Sequence, residues 1–271
     1  MSQDVPEILA SLRAVVMDMD GVLWRGEEPL PGLSTFFDFL AAESIPFALA
    51  TNNSTKSVAA YVQKLARFGL AVRPECIVTS AVATADYLRA QYPAGTRVHV
   101  VGGAGLYELI TEAGFTPVMT DADVVVVGLD PDITYEKLRR ATHQIRGGAA
   151  FIGTNGDRTF PLPDGIGPGA GSILAALEAS TDRSPRIIGK PEPIMFEMAL
   201  ARLDVTAEQT LMIGDRLETD ILGGQCAGLW TALVWTGVTT PEVLAASDIM
   251  PHTAFDDLNA LREAWQAARR A

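Results

Sequence analysis

The chain has 271 residues, with 33 acidic against 21 basic side chains and a formal charge of −12. At 48% hydrophobic residues it is not a disordered chain. The acidic balance argues against nucleic acid or an anionic membrane as its main partner. Cys76 and Cys226 have no CxxC spacing; they give neither a disulfide framework nor a metal knuckle and fit a reducing compartment. The first apolar run stops at Asp18 and no basic leader or membrane span is readable, so a soluble cytoplasmic protein is expected.

In chain order, short apolar runs predict strands over 14–17, 47–50, 98–101, 124–127, 150–152, 211–213 and 231–234. Between them, amphipathic stretches predict helices over 57–68, 80–91, 134–145, 194–203 and 255–267. Gly69 reads as the C-terminal stop of the first helix, and Ser80 and Thr134 as N-caps. Residues 160–171 form the densest Gly/Pro stretch and read as a structured loop. Residues 181–185 read as a linker. No short-period repeat or low-complexity segment is present. Strand–helix alternation of this kind implies an α/β fold, a parallel sheet with helices on both faces.

Three strands share one property: each runs apolar and then stops at a chemically able residue. The first is followed by Asp18-Met-Asp20-Gly21, the second by Thr51-Asn52-Asn53-Ser54, and the third by Gly214-Asp215, with Asp220 five residues on. In an open parallel sheet the carboxyl ends of neighbouring strands line one crevice. If these strands are neighbours, Asp18, Asp20, Thr51, Asp215 and Asp220 converge. Four carboxylates repel one another unless a cation sits among them. All are hard oxygen donors with no Cys or His beside them, which favours Mg²⁺ over zinc. Lys190, between Gly189 and Pro191, supplies a fixed positive charge, and Thr51 a hydroxyl. Asp18 could then attack a phosphorus in line, and Asp20 could exchange a proton with the leaving alcohol and the attacking water. That role requires the Asp20 side chain to stay off the metal, leaving its carbonyl to bind Mg²⁺.

Asp18-Met-Asp-Gly-Val22, Thr51-Asn-Asn-Ser54, Gly189-Lys190-Pro191 and Gly214-Asp215 with Asp220 resemble the four ordered motifs of the haloacid-dehalogenase superfamily. Pro168-Gly169-Ala170-Gly171-Ser172 and the run from Gly214 to Ile221 resemble its capped subclass IIA, the NagD-like, p-nitrophenyl phosphatase and phosphoglycolate phosphatase group. The resemblance implies a Rossmann-like three-layer αβα core over 1–80 and 183–271, with a smaller α/β cap inserted over 81–182. It implies a Mg²⁺-dependent phosphatase of small phosphomonoesters that works through an aspartyl-phosphate. Asp18 matches the nucleophile and a metal ligand, Asp20 the general acid/base and a ligand through its carbonyl, and Asp215 the third ligand. Thr51, the Asn52 amide and Lys190 match the phosphate binders. Asn53 and Ser54 match positions that touch the leaving group. Asp220 matches an acid behind the ligands. Within the cap, Asp157, Arg158 and Phe160 are the specificity candidates, with packing of Phe160 against the core the competing reading. Trp24 and Arg25 are expected at the entrance. A homodimer through the cap is also implied.

Other signals have plainer readings. Asp121, Asp123, Asp130 and Asp132 lack the glycine and the partner motifs and read as turn and capping residues. His99, His143 and His252 have no ligand spacing. Gly102-Gly103-Ala104-Gly105 has Glu108 where a dinucleotide fingerprint needs glycine, and reads as a tight strand-to-helix turn. Other functions use similar residues: a phospho-accepting regulatory domain, which has no use for the Asp-x-Asp-Gly order or the long insert, and, on the same fold, a phosphomutase or a dehalogenase, the last of which has no use for a protonating acid at Asp20.

Overall fold

The structure is a computed structural model and describes residues 5–162 and 165–270. The chain divides into two units, the first comprising Met1–Thr51, Val58–Val78 and Pro191–Ala271, the second Asn52–Ser57 and Thr79–Lys190.

The first unit is organised on a six-stranded sheet. Its order is Thr253–Phe255, Trp230–Val234, Thr210–Gly214, Ala14–Met17, Phe47–Thr51, Ile77–Thr79. Ala14–Met17 runs parallel to both neighbours, with Val16 level with Met212 on one side and Ala48 on the other. All four of its residues are buried, as a central strand covered on both faces requires, so its sequence is continuously apolar instead of alternating. Phe36, Tyr61, Trp265 and Trp24 fill the core of this unit. The register has a direct consequence: the three strands that stop at polar residues lie side by side and end together.

The second unit has its own five-stranded sheet in the order Arg186–Ile187, Ala150–Gly153, Val124–Val127, Arg97–Val101, Thr116–Pro117. All its pairings are parallel. Helices Tyr135–Arg146 and Ala170–Thr181 bury Ala141, Ile145, Ile173, Leu174 and Leu177 in its core.

Three expectations change. The boundary expected at residue 182 moves, because Arg186 and Ile187 pair with Ile152 and Gly153 and so bind residues 183–190 to the second sheet. The loop expected over 160–171 is a two-stranded antiparallel ribbon, Thr159–Leu162 against Gly165–Pro168, running into the helix that starts at Ala170; residues 163 and 164 of that stretch lie outside the described residues. Pro161 and Pro168 are tolerated because a two-stranded ribbon is all edge. The N-cap of Ser80–Gln91 is Thr79, whose side chain accepts from the Val82 amide at 3.1 Å. Ser80 is displaced from that role because its hydroxyl donates to the Asn52 carbonyl at 2.7 Å. Thr134 does cap its helix, accepting from the Lys137 amide. Helix Leu33–Ala42 has no counterpart in the sequence reading. It buries Leu33, Phe36, Phe37, Phe39 and Leu40, an apolar face too broad for a clear helical period. Among the described residues no helix is long and apolar enough to cross a membrane.

Candidate active site

The adjacent strand ends bring Asp18, Asp215 and Asp220 together. One carboxylate oxygen from each lies within 4.8 Å of the others, and all three residues are buried. Asp18 is 8% exposed, Asp215 and Asp220 are fully enclosed. The Asp18 amide donates to the Ile213 carbonyl at 2.9 Å, which continues the ladder and levels Asp18 with the start of the Asp215 loop. Three enclosed carboxylates at this spacing repel one another. Their all-oxygen, anionic donor set fits a hard divalent cation such as Mg²⁺.

The loop after Gly214 explains how two acids five residues apart reach one point. Leu217–Ile221 is a single π-helical turn, a wider turn often found at functional sites. It folds Asp220 back so that its Oδ2 accepts from the backbone amides of Asp215 at 3.2 Å and Arg216 at 3.1 Å. Asp220 therefore braces the Asp215 loop as well as joining the acid cluster.

A second loop, after strand Trp230–Val234, closes around Asp215. The Val238 amide donates to Asp215 Oδ2 at 2.7 Å and the Thr239 amide to its carbonyl at 3.1 Å. The Thr236 hydroxyl donates to the Gly21 carbonyl at 2.6 Å. A side chain on Gly237 or Gly21 would collide with the Asp215 carboxylate, and Gly21 also has φ +91°, a conformation that favours glycine. Residues 236–239 are not among the sequence-derived candidates; their signal is the Thr-Gly-Val-Thr run that begins one residue past an apolar strand, close to where the other strands carry their acids.

Asp20 is exposed and its side chain is not part of the acid cluster. Its Oδ1 accepts from the Trp24 indole Nε1 at 2.7 Å. Trp24 has no solvent exposure, so it does not line an entrance as expected; the indole is packed in the core with its N–H on Asp20. Arg25 is exposed, and its guanidinium donates to the Thr236 carbonyl at 2.6 Å. Thr51 is 4% exposed. Burial pushes the Tyr61 phenol well above its ordinary range, and the charge of Asp20 adds to the rise.

The second unit holds the other sequence-derived residues, and Asp157 and Lys190 join a network centred on Asn52, which is 7% exposed. The Asn52 side-chain amide donates to the Lys190 carbonyl at 2.8 Å and to Asp157 Oδ1 at 3.0 Å. Its backbone carbonyl accepts from Ser80 Oγ at 2.7 Å and from Asn155 Nδ2 at 2.9 Å. Asn155, 4% exposed, and fully buried Ser80 are thus site-supporting residues that the sequence reading did not find. Thr154-Asn155 at the end of a strand repeats the pair Thr51-Asn52, and that was the available signal. Asp157, expected to read the substrate, uses one oxygen to hold Asn52. Lys190 is 2% exposed. Asn53 Oδ1 accepts from the Thr55 amide and hydroxyl, a local turn motif. Ser54 is buried, Arg158 exposed and Phe160 half-buried. Among the remaining Asp-x-Asp residues, Asp121 has φ +57° and Asp130 Oδ1 accepts from the Asp132 amide at 3.0 Å, both features of turns, while Asp123 pairs with Arg97 at 2.8 Å and Asp130 with Lys137 at 2.7 Å.

The family model for haloacid dehalogenase-like hydrolases matches residues 15–116, and a second HAD-hydrolase-like model matches residues 187–261. An acid sugar phosphatase of Staphylococcus aureus is 42% identical over 249 residues, covering 91% of this chain and 95% of that protein. The solved 4-nitrophenylphosphatase of Thermotoga maritima superposes with a TM-score of 0.91 at 35% identity, over 96% of this chain and 99% of that one. NagD from E. coli K-12 superposes with a TM-score of 0.85 at 32% identity, over 91% and 97%. A parallel α/β sheet with acids gathered at its strand ends, matched in this way, defines a hydrolase: the chain belongs to the haloacid-dehalogenase-like hydrolases. Within them it falls in the NagD-like and p-nitrophenyl phosphatase group, and it is a phosphatase of that type.

Proposed function

We propose that the protein is a Mg²⁺-dependent phosphatase of small-molecule phosphomonoesters that works through a phosphorylated Asp18. The observation that carries this reading is the buried trio of Asp18, Asp215 and Asp220, with oxygens within 4.8 Å of one another, on the strand ends where such sheets bind ligands. Asp18, Asp215 and the Asp20 carbonyl would hold Mg²⁺, and Asp220 would steady the Asp215 loop through the two amide bonds it accepts. When bound, Mg²⁺ supplies positive charge that offsets the acids and the phosphate oxygens.

The chain's own groups do the rest. Asp18 attacks phosphorus. Asp20 gives a proton to the leaving alcohol and takes one from water in the second step. Thr51, the Asn52 amide and Lys190 bind the phosphoryl oxygens, and positioning of this kind supplies most of the catalysis in phosphoryl transfer. Asn52 suits the task because its side chain and carbonyl are both fixed. The second unit acts as the cap, with Asn53, Ser54, Arg158 and Phe160 reading the alcohol and Asp157 acting through Asn52. Among substrates, sugar phosphates are the first class to try, because a relative 42% identical is an acid sugar phosphatase; phosphoglycolate, nucleotides and p-nitrophenyl phosphate complete the panel. Residence in the cytoplasm and a homodimer formed through the second unit belong to the same reading, and sedimentation of the purified protein tests the dimer.

The decisive experiment measures phosphate release over that panel with and without Mg²⁺, for the native chain and Asp18→Asn. Multiple turnovers that need Mg²⁺ and vanish in the variant are expected. A single stoichiometric phosphorylation without release, or phosphate that moves between positions of the substrate, would replace this reading with a regulatory or mutase one.

A further inference from the structure

Behind Asp20 lies a buried group that the proposed chemistry does not use. Trp24 has no solvent exposure and Lys64 is 3% exposed. The Lys64 ammonium sits 4.3 Å from the centroid of the Trp24 ring. It is held there by the Gly26 carbonyl at 2.5 Å and by Glu27 at 3.6 Å. Tyr61 stacks on the same indole, with centroids 6.2 Å apart and planes 20° from parallel. Phe68 closes a further side, its centroid 6.0 Å away. The backbone adds a clamp: the Gly21 amide donates to the Trp24 carbonyl at 2.8 Å. An indole fixed on this many sides has one polar atom, and that atom donates to Asp20 Oδ1 at 2.7 Å.

A buried indole N–H needs an acceptor, but an exposed carboxylate does not need a donor from the core, since water serves it. The bond therefore does something to Asp20 beyond satisfying it. An exposed Asp side chain ordinarily samples several rotamers, and a proton donor that is mobile loses rate in proportion. The indole removes that freedom. It takes Oδ1, while Oδ2 accepts no hydrogen bond among the described residues. A cation over the ring face also draws electron density from the indole and strengthens the N–H as a donor.

We propose that Trp24 is a positioning residue: its indole N–H locks the Asp20 carboxyl so that Oδ2 faces the ester oxygen. This rests on the reading of Asp20 as general acid/base. In the first step an Asp18 oxygen bonds to phosphorus, the ester P–O bond breaks with its electron pair passing to the alcohol oxygen, and that oxygen takes the proton from Asp20. In the second, water bonds to phosphorus, the Asp18–phosphorus bond breaks, and the water proton passes to Asp20.

The test uses the full chain with Mg²⁺ and two replacements of Trp24. Trp24→Phe keeps an aromatic ring without the N–H. Incorporation of 3-benzothienylalanine at position 24 keeps the bicyclic shape and puts sulfur where the N–H was, so it decides the matter should the phenylalanine variant fail to fold. The readout is kcat/KM for an alkyl phosphate divided by kcat/KM for p-nitrophenyl phosphate, because this constant reports the steps up to alcohol release and only the alkyl alcohol needs a proton to leave. Both replacements should lower that ratio about tenfold, with p-nitrophenyl phosphate changed by no more than about twofold. An unchanged ratio in the benzothienyl protein, or equal losses on both substrates, overturns the proposal. Asp20→Asn run alongside separates the two readings: if it leaves the ratio unchanged, the acid/base assignment fails; if it lowers the ratio and the Trp24 replacements do not, the positioning role alone fails.

Discussion

Two polar centres, one in each unit, are built on opposite terms. In the first unit, Asp18, Asp215 and Asp220 crowd three carboxylates into one buried space. In the second, Asn52 is fixed by Ser80 and Asn155, and in turn holds Asp157 and the Lys190 carbonyl, mostly through uncharged groups. A cluster of like charges gains from a cation supplied by solution. A network of amides and hydroxyls draws its partners from within the protein, so its worth lies in fixing a shape. The first centre should therefore be sensitive to metal, and the second should be sensitive to the loss of single hydrogen bonds.

The largest expected effect breaks the first centre chemically. Asp18→Asn should cut turnover by about 10⁴-fold or more while the far-ultraviolet circular dichroism stays native; surviving Mg²⁺-dependent turnover would show that another group is attacking. Next comes the metal. Asp215→Asn should raise the Mg²⁺ concentration for half-maximal activity by about 10–100-fold, and should remove the rise in melting temperature that Mg²⁺ gives a protein binding it only when folded. Gly237→Ala should act in the same direction, because its methyl group would collide with the Asp215 carboxylate. Native Mg²⁺ titrations of melting temperature in both variants would remove the contrast between the two centres.

A smaller effect sharpens the contrast from the other side. Asn155→Ala removes one of the two side-chain donors to the Asn52 carbonyl. One hydrogen bond is worth about 1 kcal/mol, roughly fivefold, so inorganic phosphate should inhibit the variant about fivefold more weakly while the Mg²⁺ requirement is unchanged. A shifted Mg²⁺ requirement with normal phosphate inhibition would reverse the assignment of the two centres.

The same contrast governs what could be read from sequence. Strands Ala14–Met17 and Val124–Val127 and helix Ser80–Gln91 have the predicted bounds, since each is a short uninterrupted pattern with a clear stop. Convergence of Asp18 and Asp215 was legible because each follows a strand with no gap, so topology alone carries it. The Asn52 network was not, because Asn155 lies 103 residues away and its bond needs the geometry of the second sheet. Trp24 was misplaced for a related reason. Nothing local says whether an aromatic next to an arginine faces water or core; Lys64, 40 residues on and buried above its ring, decides it.

The smallest effect expected is in stability, and it too can be read one unit at a time. His99 in the second unit is 4% exposed, and its Nδ1 lies 3.0 Å from the Val118 carbonyl. Burial, helped by the charge of Arg140 and opposed by that carbonyl, holds its pKa below the ordinary 6.5. The folded imidazole thus stays neutral at a pH where the unfolded one takes up a proton. Between 6.5 and the lower folded value the unfolded state binds more protons, so stability falls as pH falls; above 6.5 the contribution is fully present. His252, in the first unit, is shifted the same way by burial. Amide exchange in strand Arg97–Val101 should therefore quicken, relative to its intrinsic rate, on going from pH 7 to pH 5. His99→Gln should flatten that dependence while leaving strand Trp230–Val234, beside His252, as it was. Equal flattening in both strands would mean that the two units unfold as one, and would withdraw the separate footing on which the two centres are compared.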